Sequence, residues 1–201
     1  MRIYILILII LFSNISIFCF DEHEAKICEI LSKHPDTFDY FATPLDEDSG
    51  YSEINGILKN ELIVFSKKIN AYIINREIEQ LKKFISKTDF RYYGEEGVSE
   101  NISEKLRSQL STKKGFYYYQ LFDASKKYDI NTKPSIPEGR FIDIRKYLLC
   151  YKDKLTWRVS YHKERNIYEV VFSIPDWIVQ EFNFFRYIVK KTKSGYILVG
   201  F

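Results

Sequence analysis

The sequence predicts an α+β domain, with helices first and then a twisted antiparallel sheet of about four to five strands that the helices cover. Three observations carry that prediction. Apolar residues recur at helical spacing from Ile57 to Ile85, the period changes to two after Gly115, and the C-terminal quarter alternates strand-like runs with short polar turns. At 201 residues, less a leader, the chain is long enough for one hydrophobic core. The expected organisation is a leader over 1–19, an N-terminal helix and extended connection over 20–56, and a single α+β domain over 57–201.

The leader "MRIYILILIILFSNISIFCF" begins with Arg2, runs apolar from Ile3 to Phe12 and turns polar at Ser13, Asn14 and Ser16. That is the order of a secretory signal peptide, with cleavage expected after Cys19. Cys19 is also a lipidation candidate, although Phe18 stands where a lipobox needs a small residue. An uncleaved anchor over residues 3–20 ranks third, because the continuous apolar run is too short to span a bilayer. The expected location is therefore the secreted or periplasmic fraction of the cell envelope. Loss of Cys19 leaves Cys28 and Cys150, an even pair in a compartment that permits disulfides. A bridge closing roughly 120 residues would stabilise the fold by about 4 to 5 kcal/mol. Two buried free thiols are the alternative.

After the leader, Asp21 to Lys33 reads as a short helix ended by His34-Pro35, and residues 36–56 read as an extended connection with "DEDSG" as a turn. Leu58, Leu62, Phe65, Ile69 and Tyr72 predict one amphipathic helix. A second, with Asn75 as its cap, is marked by Ile78, Leu81 and Ile85. "RYYGEEGVSEN" breaks the chain, and "NISEKLRSQL" has capping-box spacing between Asn101 and Glu104 ahead of a third helix. "GFYYYQLFD" alternates Phe116, Tyr118 and Phe122 against Tyr117 and Tyr119, which predicts a strand covered on both faces. A Pro- and Lys-bearing loop follows, and then a helix over about 141–152, with a strand as the alternative. "LTWRVSYH", "IYEVVFSI", "FNFFRYIVKK" and "YILVGF" complete an antiparallel meander joined by "KERN" and "TKSG".

Composition narrows the functional classes. The 32 Phe and Tyr accompany many Ile and Lys and little Ala, so A/T-biased codons explain much of the aromatic content. Formal charge is +3, and the lysine pairs are scattered and interrupted by acids, unlike the single basic stripe of a nucleic-acid binder. No nucleic-acid partner, metal or cofactor is expected. Histidines are limited to His23, His34 and His162, and "GEEG" at 94–97 carries acids where a phosphate cradle needs bare amides and a lysine. Cys150 precedes His162 by twelve residues, but its "YLLCY" surroundings point to burial rather than to a nucleophile. Asp143, between Ile142 and Ile144, is the candidate for a half-buried acid that works with a Tyr hydroxyl. Asn101-Ile102-Ser103 matches a glycosylation sequon, and with Asn101 assigned to cap a helix the match reads as coincidence.

The helices from Ile57 to Ser86, the short helix at Asn101 to Leu110 and the closing "KTKSGYILVGF" together resemble the nuclear transport factor 2-like superfamily over about residues 57–201. The resemblance implies a cone-shaped fold with a pocket, and no particular activity. The N-terminal helix and the long aromatic connection depart from it. The leading functional expectation is an exported, non-enzymatic binding protein that holds a partner protein, a peptide or a small apolar ligand. Its candidate contact residues are Phe116, Tyr118, Phe122, Trp157, Tyr161 and Asp143. The alternatives are a small cone-fold enzyme using Asp143 with a Tyr hydroxyl, and a solid-cored domain that meets its partner only at the surface. No catalytic residue is assigned beyond that alternative.

Overall fold

The computed structural model describes Cys28 and residues 50–93, 99–123, 143–173 and 184–201. The chain divides into two compact units, Met1–Lys33 and His34–Phe201. Cys28, which is helical, belongs to the first unit, and every element below belongs to the second. The expected leader with Cys19, most of the predicted 21–33 helix, the 36–49 connection and the Pro-bearing loop lie outside the described residues.

The fold is α+β. Its helices are α1 (Ile57–Ile74), α2 (Ile78–Phe84), α3 (Ser103–Thr112), α4 (Phe116–Phe122) and α5 (Ile144–Tyr151). Its strands are β1 (Tyr51–Glu53), β2 (Arg91–Tyr93), β3 (Ser99–Asn101), β4 (Trp157–His162), β5 (Ile167–Ser173), β6 (Phe184–Thr192) and β7 (Gly195–Gly200). The sheet runs β1-β4-β5-β6-β7-β2-β3. From β1 to β7 every neighbouring pair is antiparallel, as the alternation in the sequence predicts. The β2–β3 hairpin joins through one parallel register pair, Arg91 with Gly200. Three-residue strands carry almost no periodicity, which is why β1, β2 and β3 were not predicted from the sequence.

Helix α1 lays Leu62, Phe65, Ile69 and Ile73 into the core, and β4 and β5 are among its neighbours. The sheet face towards it carries Val159, Val170, Phe172, Tyr187, Val189 and Leu198, all fully buried. Two polar side chains of α1 are buried with them, Ser66 and Asn70. Asn70 Oδ1 accepts a 2.6 Å hydrogen bond from the Tyr187 hydroxyl on β6. At the open end of the same interface, the Tyr196 hydroxyl donates to Glu61 Oε2 over 2.8 Å.

Side chains from neighbouring helices complete the helix ends. Arg145 Nε donates to the Ile74 carbonyl at the end of α1 over 2.7 Å, and Arg107 Nη1 donates to the Lys82 carbonyl in α2 over 2.8 Å. A cation at the last carbonyls of a helix satisfies orphan acceptors and opposes the helix dipole.

Three expectations are corrected. Residues 116–122 form α4, not a strand. With both faces apolar, alternation and helical spacing are hard to tell apart in seven residues, and the deciding contact comes from α3. Gln109 Oε1 accepts from the Tyr117 amide over 2.8 Å, satisfying an orphan donor in the first turn of α4. Gly115 is required beside it, because φ is +98° there and a Cβ would fall 2.5 Å from Gln109 Cδ. Asn101 does not cap α3: it is held in β3 opposite Arg91, and its Oδ1 reaches only the first helical amide, Ser103 N, at 3.1 Å. Asn75 does not cap α2; it terminates α1, its amide returning to Ala71 O. The helix preferred over a strand near 141–152 is confirmed as α5, begun by Asp143, whose Oδ1 accepts from Lys146 N over 2.8 Å.

Replacing Tyr187 by Phe strands the buried Asn70 Oδ1, so Tyr187→Phe is expected to lower stability by about 1–3 kcal/mol. In urea unfolding the midpoint falls with an unchanged slope, and the Asn70→Leu/Tyr187→Phe double variant loses less than the single one. Tyr196 is pushed up to about 12, first by burial and then by its hydrogen bond to Glu61. Burial also pushes Tyr147 and Tyr187 up. A hydroxyl whose folded pKa exceeds its unfolded value of about 10 contributes stability that is present below pH 10. Stability against urea should therefore be level below about pH 10 and fall as pH rises through about 12, tracked by tyrosinate absorbance.

Candidate functional site

Strand register builds an aromatic row across the helix-facing side of the sheet. Trp157 on β4 pairs with Phe172 on β5, which pairs with Phe185 on β6. Their ring centroids stand 4.9 Å and 5.3 Å apart. Phe201, just past β7, continues the row 5.8 Å from Phe185, and Phe90 meets Phe201 edge-on at 5.0 Å. Tyr187 touches Phe172, Phe185 and Phe201 from the next register position. Phe90, Phe172 and Tyr187 are buried and form a floor; Trp157, Phe185 and Phe201 are half-buried. Aromatic ring pairs in such geometries are worth about 0.5–1.5 kcal/mol each beyond their area, which favours keeping the row together. The half-buried rings of Trp157, Phe185 and Phe201 are uncharged and apolar.

The predicted contact residues are divided by the fold. Trp157 lies in the row. Tyr161 lies on the same sheet face, 5.0 Å from Tyr168, and its hydroxyl donates to Asn166 Oδ1 over 3.0 Å at the β4–β5 turn. Phe116, Tyr118 and Phe122 sit on α4, where the odd-and-even division expected of a strand no longer applies. Tyr118 meets Phe122 one turn on at 5.2 Å, Phe122 is buried, and Phe116 packs edge-on against Tyr117 at 5.0 Å.

Asp143 is 1% exposed and caps α5, with Oδ2 lying 3.5 Å from Lys146 Nζ. One turn along, Tyr147 stacks on Tyr151 at 5.2 Å, and burial together with Tyr151 holds the Tyr147 hydroxyl protonated. Cys28 and Cys150 are both disulfide-bonded, so Cys150 is no free nucleophile.

The opposite face of the sheet is charged as well as apolar. Arg158, Ser160, His162 and Glu169 are buried there beside Ile167, Ile188 and Val199. Arg186 Nη1 donates to Glu169 Oε1 over 3.1 Å. Arg158 and Arg186 each make further interactions, so neither is an open cation. His162 packs edge-on against Tyr51 at 4.8 Å and accepts from Arg165 N over 3.4 Å through Nδ1. The sequence held the signal for this face, since Arg158, Ser160 and His162 occupy alternate positions of "WRVSYH", but polar residues in alternation read as solvent-facing. Phe185 and Phe201 were passed over because their partners are remote in sequence.

Among the described residues no group of three His, Cys, Asp or Glu side chains gathers as a metal site, and no helix is long and apolar enough to cross a membrane. No protein-family model, curated protein or solved structure matches the chain.

Glu169→Gln removes the counter-charge of Arg186 within a buried face, and an expected loss of about 1–3 kcal/mol follows. Glu164→Gln, on the exposed β4–β5 turn, should stay within about 0.5 kcal/mol in the same unfolding assay. Equal effects of the two substitutions would remove the pair from the account of stability.

Proposed function

We propose that the chain is an exported, non-enzymatic binding protein of the cell envelope or secreted fraction, and that it holds a peptide or apolar ligand against its aromatic row. The observation that carries this reading is the half-buried rim of Trp157, Phe185 and Phe201 over a buried aromatic floor. Aromatic rings held rigid before binding lose little entropy on contact, which favours their use as anchors.

Export is supported by the n-, h- and c-region order of residues 1–19 and by the disulfide-bonded cysteines, which belong to an oxidising compartment. A Cys28–Cys150 bridge is part of the same proposal, as is the likeness to the nuclear transport factor 2-like superfamily. The enzymatic alternative has less support, because Asp143 is engaged as a helix cap and paired with Lys146.

Three measurements test the reading. The exported protein should begin near residue 20 in its intact mass, and non-reducing peptide mapping should recover Cys28 linked to Cys150. Retained Met1 or a diacylglyceryl mass on Cys19 would replace soluble export, and free thiols on both cysteines would remove the bridge. Titration with the apolar probe 1-anilinonaphthalene-8-sulfonate should saturate, and Trp157→Ala should weaken it at least about tenfold, roughly 1.4 kcal/mol. Unchanged probe affinity in that variant, with the fold intact by circular dichroism, would move the ligand elsewhere.

A further inference from the structure

The second half of the sequon Asn101-Ile102-Ser103 is the start of α3, and its first half is the end of β3. Asn101 is exposed. Its Oδ1 accepts twice from Ser103, over 3.1 Å from the amide and 2.7 Å from the hydroxyl. These contacts span only two residues, so they form an Asx turn that the local chain can adopt before the domain folds. Its Nδ2 donates one hydrogen to the Thr88 carbonyl over 2.7 Å. An amide nitrogen carries two hydrogens, which leaves the second available for substitution with the Thr88 and Ser103 contacts kept.

Among the described residues, β3 is the outermost strand on its side of the sheet. A bulky polar group on an edge strand blocks pairing with another chain. Asn14, the other Asn-x-Ser match, lies within the leader and leaves with it.

We propose that Asn101 is an N-glycosylation site, an inference that rests on the export reading. The donor class is a lipid-pyrophosphate-linked oligosaccharide, used by a membrane oligosaccharyltransferase. Asn101 Nδ2 forms a bond to the anomeric carbon of the sugar. The bond from that carbon to the pyrophosphate oxygen breaks, the lipid pyrophosphate leaves with the electron pair, and one Nδ2 proton passes to the enzyme's base. The helix start is preserved, because the sugar occupies nitrogen while the Ser103 contacts use Oδ1.

The full chain with its leader is expressed in a eukaryotic secretory host, and the secreted protein is mapped by peptide mass with and without peptide-N-glycosidase. The expected result is a glycan on the Asn101 peptide, with the enzyme leaving Asp at 101. Asn101→Gln should abolish it, and Ser103→Thr, which keeps the sequon, should retain it. A secreted, leader-cleaved protein with unmodified Asn101 overturns this inference and leaves the export reading standing. A protein kept inside the cell with Met1 intact overturns both.

Discussion

The hydrogen bond between the Tyr187 hydroxyl and Asn70 Oδ1 is the constraint on which the helix–sheet arrangement depends. Both groups are cut off from water, with Tyr187 fully buried and Asn70 4% exposed. Each needs the other, since a buried polar atom without a partner costs about 1–3 kcal/mol. Apolar packing alone would let α1 slide along the sheet, because Leu, Ile and Val contacts are non-directional. A 2.6 Å bond to one hydroxyl on β6 fixes the position of the helix along the strand and its rotation about its own axis.

The same economy recurs at the helix ends. Arg145 on α5 terminates α1, Arg107 on α3 terminates α2, and Gln109 on α3 starts α4. α3 and α5 thus supply polar groups that the ends of neighbouring helices lack. α4, at seven residues, is too short to persist alone. Its existence is a property of the α3–α4 pair and of the glycine that lets them approach.

Two chemically different sheet faces result from one alternation. The face towards α1 is aromatic, ending in a row whose rim is half-open. The other holds the Glu169–Arg186 pair and Arg158 among isoleucines and valines. A partly buried ion pair is weak evidence of net stability, yet it specifies which groups must meet. The proposed ligand contact uses the aromatic rim, whereas the Glu169–Arg186 pair on the other face specifies which strand positions meet.

Much of the fold was legible in the sequence. The 3.6-residue stripe of Leu62, Phe65 and Ile69 marked α1, the helical spacing of Ile144, Leu148 and Tyr151 marked α5, and the alternation from Trp157 onward marked the meander, because burial imposes those periods directly on the chain. The sequon, and the apolar run after Arg2 on which the expectation of a leader rests, are likewise local signals. Only tertiary structure decided the rest. Whether "FYYYQLF" became strand or helix depended on Gln109 and on Gly115 standing beside it. Whether Asn101 capped a helix depended on β3 pairing with β2. The aromatic row joins Phe90, Trp157, Phe172, Phe185 and Phe201, which no window of sequence contains together, because sheet register rather than sequence distance sets which rings meet.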